Sequence, residues 1–416
     1  MAVSAQTSSI VSFEQARHVV EEHASRLRPR GRELLGLLDA ASRVLAEPIY
    51  ADRDFPPFRR AARDGFAVRA ADLQNLPAAL EIIGEVRAGA AHIPELDSGQ
   101  AVSIMTGAAA PDGADAIVMV EYASRTGDRV QITKSISAGE NIVPAGAEAR
   151  RGDKLLESGT RLGYAEIAVA ASVGRSRLLV HSKPRVAVLS TGDEVVDVDV
   201  PPGPNQIRNS NSYSLATQIQ GTGGEPILLP IAPDEPIRLH ELLAEGLEAD
   251  LLLIAGGVSM GKYDLVEHAL ADMEAEFFFT GALIQPGKPI VFGHVRHGGN
   301  SAGGAKYFFG LPGNPISTMV TFELFARPVI EALAGAVPRK LAFVHMKLKR
   351  AIKTKTGLRR FLPAIISGEL ERAEVELVGW QGSGDMAAVA RANCFVVVPP
   401  DRERIEAGAW VPVLLR

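Results

Sequence analysis

The chain has 416 residues, 46% of them hydrophobic, and a formal net charge of -5 at pH 7. One hydrophobic core rarely serves more than about 250 residues, so several domains are expected, and the charge balance disfavours nucleic acid as the main partner. No stretch approaches the roughly 18 apolar residues of a membrane span, and the N-terminus lacks a secretory signal, so we expect a cytoplasmic protein without a membrane partner.

The first 182 residues alternate between helix-like and β-type sequence patterns. Residues 12–26 are predicted to form a helix that Ser12 can cap, and a second helix is predicted at residues 34–46. From about residue 50, short β-type runs alternate with Gly, Pro and Asp, and residues 126–128 indicate a hairpin turn. Residues 152–180 return to helix-like periodicity. We therefore predict an elongated helical domain made of residues 1–50 and 140–182, interrupted by a β-rich domain at residues 51–139.

Residues 183–336 alternate between apolar strands and helices. The strands are predicted at residues 186–189, 227–231 and 251–254, and the helices at residues 211–220, at residues 234–248 and from about residue 263. Gly221 is predicted to end the first of these helices and Asp234 to cap the second, with Pro236 in its first turn. This alternation predicts a parallel α/β sheet, which binds ligands at the carboxyl ends of its strands.

The last block, residues 337–416, has short strands and no convincing helix, which predicts a small β-barrel or sandwich. Cys394 is the only cysteine, so the chain has no internal disulfide and no cysteine-built metal site. It lies in an apolar run, which favours a buried structural thiol over a reactive one.

Three loops at predicted strand ends can carry chemistry. Residues 190–194 end in two adjacent carboxylates that can hold a hard cation such as Mg²⁺, although a solvated turn is the alternative. Residues 256–264 contain glycines just before a helix, so backbone N–H groups there can approach a phosphate. Asp264 can add a second oxygen ligand for the metal. The alternative interpretation is a tight strand-to-helix turn. Residues 311–315 lead into a helix and are weak evidence alone. Lys288, held between two prolines, can aim its ammonium at an oxyanion or be solvated.

A serine hydrolase is the main rival. Residues 257–261 satisfy G-x-S-x-G between a strand and a helix. However, no His-Gly-Gly-type oxyanion segment precedes this motif, and no later histidine follows an obvious acidic partner. The sequence also lacks a P-loop, G-x-G-x-x-G and H-E-x-x-H, so the hydrolase interpretation is disfavoured.

The three loops, in this order and spacing, resemble the molybdopterin-binding domain of the MoeA and gephyrin E-domain family and of the MoaB/MogA-like adenylyltransferases. Other segments resemble MoeA proteins in particular. They are Pro57-Phe58, Arg63-Asp64-Gly65-Phe66-Ala67-Val68-Arg69, Thr106-Gly107, residues 113–118, residues 139–142, Gly152-Asp153, Gly382-Ser383 and residues 390–395. The likeness covers about residues 12 to 414.

The resemblance implies four domains in an elongated homodimer. Its active cleft would lie between the molybdopterin-binding α/β domain of one subunit and the inserted domain of the other. It also implies an enzyme, a molybdopterin molybdenumtransferase that inserts molybdate into adenylylated molybdopterin with Mg²⁺-dependent release of AMP. The molybdopterin adenylyltransferase is a possible partner. A scaffold role, as in gephyrin, is the alternative class, but a scaffold would not need Glu194 and Asp264 together.

The resemblance also assigns residues. The implied catalytic residues are Asp64, Thr106, Glu194, Asp234 and Asp264, with Glu194 and Asp264 as the Mg²⁺ ligands. The implied substrate-binding residues are Glu148, Ser190, Thr191, Gly192, Asp193, Gly256, Gly257, Ser259, Lys288, Pro289, Pro312, Gly313, Asn314, Pro315, Ser317 and Ser383. Of these, Lys288, Ser317 and Ser383 would hold molybdate. The residues expected from the partner subunit are Asp64, Thr106 and Glu148.

The sequence departs from the family pattern at several positions. Ala61 and Arg63 replace the usual Ser and Met before Asp64. Basic residues are common in the family where this chain has Gln285, Gly281 and Pro363. We therefore expect an anion site that is less basic than usual and that binds molybdate weakly, and the sequence leaves the choice between molybdate and tungstate open.

Overall fold

The computed structural model describes residues 9–257, 265–296 and 304–416. Within these ranges no helix is both long and apolar enough to cross a membrane. The first elements are β1 (Ile10–Val11), α1 (Phe13–Arg26), β2 (Arg32–Gly36) and β3 (Ile49–Tyr50).

The predicted first helix is confirmed as α1. The Ser12 hydroxyl accepts a hydrogen bond from the Gln15 N–H at 3.1 Å, and the Gln15 side chain accepts one from the Ser12 N–H at 2.9 Å. This reciprocal capping box fixes the start of the helix. Phe13, Ala16 and Val20 are buried against the α/β domain, and β1 pairs with a strand of that domain. Helix α1 therefore packs into the core of the α/β domain.

The predicted helix at residues 34–46 is wrong. Residues 32–36 form β2, which pairs antiparallel with residues 177–181, and turns follow up to residue 42. Ser42 has a φ of 65°, which is incompatible with a helix interior. Leu34 and Leu35 thus serve strand pairing, because tertiary contacts outweigh the weak intrinsic preference for helix.

The inserted region is a six-stranded sheet, as the β-type runs predict. The strands from residue 51 to 139 are β4 (Arg60–Ala61), β5 (Gly65–Val68), β6 (Ala78–Val86), β7 (Gln100–Ile104), β8 (Ala116–Met119), β9 (Ala123–Thr126) and β10 (Arg129–Ile132). The sheet order is β8-β5-β7-β6-β10-β9, and the predicted hairpin at residues 126–128 is confirmed by the pairing of Thr126 with Arg129.

Residues 140–182 consist mainly of short ladders. They contain β11 (Ile142–Val143), β12 (Lys154–Leu156), α2 (Tyr164–Ser172) and β13 (Arg177–His181). Strands β11 and β12 pair with β4 and β3, and β13 pairs with β2. The helix predicted from the periodicity of residues 152–180 is confirmed only at α2, and it is wrong for the flanking segments, which contain strands.

The α/β domain has the predicted architecture. Its strands are β14 (Arg185–Ser190), β15 (Val195–Val196), β16 (Ile207–Arg208), β17 (Glu225–Leu228), β18 (Leu251–Ala255), β19 (Glu276–Phe279), β20 (Gly281–Ala282), β21 (Ile284–Gln285), β22 (Val291–Arg296) and β23 (Ala305–Leu311). Its helices are α3 (Asn211–Thr222), α4 (Pro236–Gly246), α5 (Leu265–Asp272), α6 (Pro315–Thr321) and α7 (Arg327–Leu333), with a π-helical turn between the last two.

The main sheet has the order β17-β14-β18-β23-β22-β19, and its first four strands are parallel. Alternate residues of β14 and β18 enter two cores, with α1, α3, α6 and α7 on one face and α4 and α5 on the other. Two predicted helix ends are wrong by a residue or two. Helix α3 ends at Thr222 and is capped by Gly223, whose φ is 98°, rather than by Gly221, and Glu235 rather than Asp234 is the N-cap of α4.

The C-terminal block is the predicted small barrel. Its elements are β24 (Phe343–Leu348), β25 (Ile352–Lys353), β26 (Arg359–Ser367), β27 (Glu374–Leu377), α8 (Met386–Arg391), β28 (Cys394–Val398), β29 (Arg404–Ile405) and β30 (Trp410–Leu415). Strand β26 pairs with both β27 and β28, which closes a barrel in the order β26-β27-β24-β30-β28. The short helix α8 was not predicted from the sequence. Cys394 is buried as predicted, and burial raises its thiol pKa to about 11.

Candidate functional site

A cavity of about 700 Å³ lies at the carboxyl ends of β14, β18 and β23. It brings the three predicted loops together, which is the location expected for a ligand site in a parallel sheet. Its lining residues are Ser190, Thr191, Gly192, Glu194, Val195, Ile207, Arg208, Asn209, Ser210, Asn211, Asp234, Leu239, Ala255, Gly256, Gly257, Leu265, Val266, Pro289, Pro312, Gly313, Asn314 and Pro315.

The first loop concentrates negative charge at the cavity. Asp193 lies outside the lining, but its carboxylate accepts a hydrogen bond from the Asp234 N–H at 3.0 Å. The pKa of Asp234 is raised by burial, and further by the charges of Asp193 and Glu194. The carboxyl groups of Asp193, Glu194 and Asp234 therefore repel one another, and a bound cation would reduce this repulsion.

Gly192 makes room for the Glu194 carboxylate. Its φ is 125°, and a Cβ atom there would lie 2.4 Å from Glu194 Oε2. No other residue type fits this position without moving the carboxylate.

We expect Gly192→Ala to destabilise the fold more than Gly174→Ala. Both glycines have positive φ, so each substitution introduces backbone strain of about 1–3 kcal/mol. The strain is larger at position 192, because its φ of 125° lies far from the left-handed α value of about +57°, which the Gly174 φ of 74° approaches. A methyl group at position 192 would also displace the Glu194 carboxylate, whereas nothing lies within 4 Å of a Cβ at Gly174. Urea unfolding of both variants checks this, and equal losses of unfolding free energy would contradict the larger strain at Gly192.

The second loop begins at Gly256 and Gly257. A Cβ atom on Gly257 would lie 2.5 Å from Val266 Cγ2 and 2.9 Å from Thr191 Oγ1, so the backbone passes close to the first loop. The Thr191 hydroxyl is buried and has no hydrogen-bond partner among the described residues. Ser259 and Asp264, both predicted site residues, lie outside the described residues, as does most of the G-x-S-x-G motif.

The third loop is tied to the start of α3. The Asn211 side-chain amide donates a hydrogen bond to the Gly313 carbonyl at 2.8 Å. Asn314 immediately precedes α6, whose first residue is Pro315, as the sequence predicts. The cavity is thus framed by the ends of three parallel strands and by the start of α3.

A buried polar network beneath the first loop was not predicted from the sequence. The Ser190 hydroxyl donates to the Asn209 side-chain oxygen Oδ1 at 3.0 Å and lies 2.9 Å from the Ser212 hydroxyl. The Asn209 amide also donates to Ser212 at 3.0 Å. The available signal was the polar run of residues 208–212 at the start of a predicted helix. This network fixes the end of β14, which carries the first loop.

A second cavity of about 430 Å³ adjoins the first, because Pro289 lines both. It contains all three side chains predicted to hold molybdate, and Lys288 is the only ionisable residue among its lining residues in the described chain. The lining residues are Ile284, Gln285, Pro286, Gly287, Lys288, Pro289, Ser317, Leu358, Trp380, Gly382 and Ser383.

The barrel contributes Ser383 through a well-anchored loop. The Asp385 carboxylate accepts hydrogen bonds from the Gln381 N–H at 3.2 Å and the Ala388 N–H at 3.1 Å. The Ser383 carbonyl accepts one from the Ile316 N–H at 3.1 Å, which joins the barrel to α6. The second cavity is therefore an interdomain site.

The three residues predicted to come from a partner subunit line neither cavity of this chain. Asp64 accepts a hydrogen bond from the Thr106 N–H at 2.6 Å, and bonds from the Thr106 backbone and side chain lower the pKa of Asp64. Glu148 pairs with Arg60 at 2.6 Å. Asp64 and Thr106 thus form one cluster in the inserted domain.

The described residues contain no group of three or more His, Cys, Asp or Glu side chains placed to hold a metal ion. Glu194 and Asp234 line the first cavity, and Asp264 is not described. The carboxylates that remain are oxygen donors, the type that Mg²⁺ prefers. They would suit a hard cation, whose remaining ligands would come from substrate oxygens or water.

The fold and the site define a multidomain enzyme of the ligand-binding α/β class, with its cavity at the carboxyl edge of a parallel sheet. Consecutive parts of the chain match three family descriptions. These are "MoeA N-terminal region (domain I and II)" over residues 11–174, "Probable molybdopterin binding domain" over residues 187–332, and "MoeA C-terminal region (domain IV)" over residues 345–415.

Relatives that align along nearly the whole chain support the same family assignment. A molybdopterin molybdenumtransferase of Nostoc sp. is 36% identical over 392 residues, which cover 92% of this chain and 88% of the relative. That of Haemophilus influenzae is 33% identical over 411 residues, covering 97% and 98%. The crystal structure of a molybdopterin biosynthesis moeA protein from Pyrococcus horikoshii OT3 is 26% identical, with a TM-score of 0.76 and coverage of 98% and 100%. The chain belongs to the molybdopterin molybdenumtransferase family and is a transferase of molybdenum cofactor biosynthesis.

Proposed function

We propose that this protein inserts molybdate into adenylylated molybdopterin and releases AMP in a Mg²⁺-dependent reaction. The observation that carries the proposal is the adjacency of two different cavities that share Pro289. The larger one has glycine-lined loops and carboxylates, which suit a phosphoanhydride with a cation. The smaller one has a lysine and two serines, which suit an oxyanion. A reaction that joins an oxyanion to an adenylylated ligand needs both.

Glu194 and Asp264 are the proposed Mg²⁺ ligands, and Asp234 is a further acid in the same cavity. The ion, when bound, would neutralise charge that develops on the phosphate oxygens. The chain's own residues orient the ligand. Backbone N–H groups at the glycine loops face the phosphates, and Asp193 fixes the position of Asp234 through its backbone N–H.

The chemical step is a substitution at phosphorus. An oxygen of molybdate or of water attacks the phosphorus of the pterin's own phosphate, the bond from that phosphorus to the bridging oxygen breaks, and AMP leaves with the bridging oxygen. In the insertion, molybdate forms two Mo–S bonds to the dithiolene and loses one oxygen as water, which carries away the two thiol protons. Lys288, Ser317 and Ser383 would hold the oxyanion in the second cavity, next to the pterin sulfurs that receive the metal. Holding both reactants in adjoining cavities contributes by proximity.

Purified protein mixed with adenylylated molybdopterin, Mg²⁺ and molybdate tests the proposal. We expect one AMP released for each molybdenum bound to the pterin product, and no release when Mg²⁺ is chelated. Metal analysis of the product made with molybdate and with tungstate then identifies the preferred oxyanion. Bound metal without AMP, or AMP release that is independent of both oxyanions, would contradict the function.

We also predict a homodimer, because Asp64, Thr106 and Glu148 line neither cavity of their own chain, and the family resemblance places such residues in the partner's cleft. Light scattering at micromolar concentration should give twice the chain mass of 44.2 kDa. A monomer mass would contradict it. Mixing an Asp64→Asn variant with a Glu194→Gln variant gives a sharper test, because shared sites let a mixed dimer regain one intact cleft.

A further inference from the structure

We infer that Arg208 binds the phosphate of the adenylyl group and stabilises it as the leaving group. This rests on the proposed function, since it concerns the same cavity. Three lining residues of the first cavity ionise in the described chain, and Arg208 is the only basic one beside Glu194 and Asp234. A phosphoanhydride brings further negative charge into this site, so a protein cation there has a direct electrostatic role.

A small ribbon places Arg208 beside the proposed Mg²⁺ ligand. Strands β15 and β16 pair in parallel, with Val196 opposite Arg208. The Ile207 N–H donates to the Glu194 carbonyl at 2.8 Å, and the Asn209 N–H donates to the Val196 carbonyl at 2.8 Å. Glu194 directly precedes β15, Arg208 lies in β16, and both line the first cavity, so a phosphate bound there could contact both a cation held by Glu194 and the guanidinium.

The guanidinium is oriented but not neutralised. Its Nε donates to the Val198 carbonyl at 3.0 Å. The guanidinium forms no ion pair with a carboxylate of the described residues, and its two terminal nitrogens have no protein partner there. They remain available as a planar pair of donors, which matches two oxygens of a phosphate better than a lysine ammonium does.

The base of the ribbon is rigid. Asn209, the next residue, is buried and joins the Ser190–Ser212 network described above. Arg208 thus projects from an anchored backbone at the cavity rim rather than from a free loop. This preorganisation reduces the entropy lost when the side chain binds a ligand.

Calorimetric titration of the full-length protein with AMP and with adenosine tests the inference, because adenosine has the same base and ribose but no phosphate. We expect Arg208→Ala to weaken AMP binding by about tenfold or more and to leave adenosine binding unchanged. Arg208→Lys should give an intermediate loss, since it keeps the charge but not the paired donors. Arg125→Ala is the matched control, because Arg125 is also exposed and donates its Nε to a backbone carbonyl, that of Gly127, while lining neither cavity.

The outcomes separate this inference from the proposed function. AMP binding by Arg208→Ala at the parent affinity overturns the role of Arg208 alone. Equal weakening of AMP and adenosine shows a structural role and also overturns it. If the parent protein binds neither AMP nor adenosine, the nucleotide site itself is wrong, and the proposed function fails with it. Thermal unfolding of each variant confirms that the fold is retained.

Discussion

Glu194→Gln should reduce Mg²⁺-dependent AMP release about 100-fold or more, because one neutral amide replaces a charged oxygen ligand next to the reacting phosphates. The Glu194 backbone is held by the hydrogen bond from Ile207, and its carboxylate lies over Gly192. A glutamine of the same shape fits that space, so the fold should stay intact. Asp264→Asn should give a loss of the same order. The rate of AMP release under limiting Mg²⁺ is the measurement.

A nearby control separates ligand loss from a general change of charge. Glu235 is exposed, precedes α4, and lines neither cavity, so Glu235→Gln should keep the parent rate. The loss in Glu194→Gln should also depend on Mg²⁺, with the parent saturating at a lower Mg²⁺ concentration than the variant. Parent-like AMP release by either ligand variant at limiting Mg²⁺ would remove that residue from the metal site.

The parallel sheet was predictable because each of its strands is short, apolar and followed by a helix. Residues 251–255 show why: all five are buried, and alternate ones enter two cores, which requires an almost uniformly apolar run. A strand could not be predicted from an apolar run in the same way at residues 34–46. Their leucines are compatible with helix or strand, and the pairing of β2 with β13, more than 140 residues away, decides between them.

Helix α1 shows a second limit of local pattern. The apolar face and the N-terminal cap of α1 can be identified from residues 12–20 alone, so its existence and its start were predictable. The surface against which this face packs could not be predicted in the same way. The face packs on helices of a domain that begins about 170 residues later, and the Arg17 guanidinium donates to the Leu324 carbonyl in the π-helical turn. Periodicity identifies a buried face but not the surface that buries it.

The candidate site was predictable where residues follow strands directly, and less so where tertiary contacts assemble it. Ser190, Gly256 and Pro312 each come just after or at the end of a parallel strand, so they meet in one cavity. Arg208 and Asn209 belong to a two-stranded ribbon too short to predict, and they were missed. Their polar neighbours suggested only a helix start. The roles assigned to these residues remain predictions.

The second cavity also clarifies the unusual residues near the proposed anion site. Gln285 is exposed and lines the cavity, so its substitution by a basic residue would act there directly. Gly281 pairs with Ile10, and a Cβ atom on it would lie 3.1 Å from that side chain, while Pro363 is buried opposite Phe395. Neither lines the cavity in the described chain. The Arg360 guanidinium donates hydrogen bonds to the backbone carbonyls of Lys355 and Leu358.

Lys288 should therefore supply most of the electrostatic attraction for molybdate, and Lys288→Ala should raise the half-saturating molybdate concentration about tenfold or more. It is the only ionisable residue that lines the second cavity in the described chain. Hydrogen bonds from a charged donor are roughly twice as strong as neutral ones. The serines left behind would retain directional hydrogen bonds without charge. Titration of molybdate against AMP release gives the concentration directly.

Gln285→Lys should change binding in the opposite direction, because it adds an ammonium at the same cavity and lowers the half-saturating molybdate concentration. Lys340→Ala is the control for total charge, since Lys340 is exposed and lines neither cavity. The two test variants also differ in salt dependence: added salt should weaken molybdate binding more in Gln285→Lys than in Lys288→Ala. An unchanged titration in Lys288→Ala, or weaker binding in Gln285→Lys, would mean that the oxyanion binds outside this cavity.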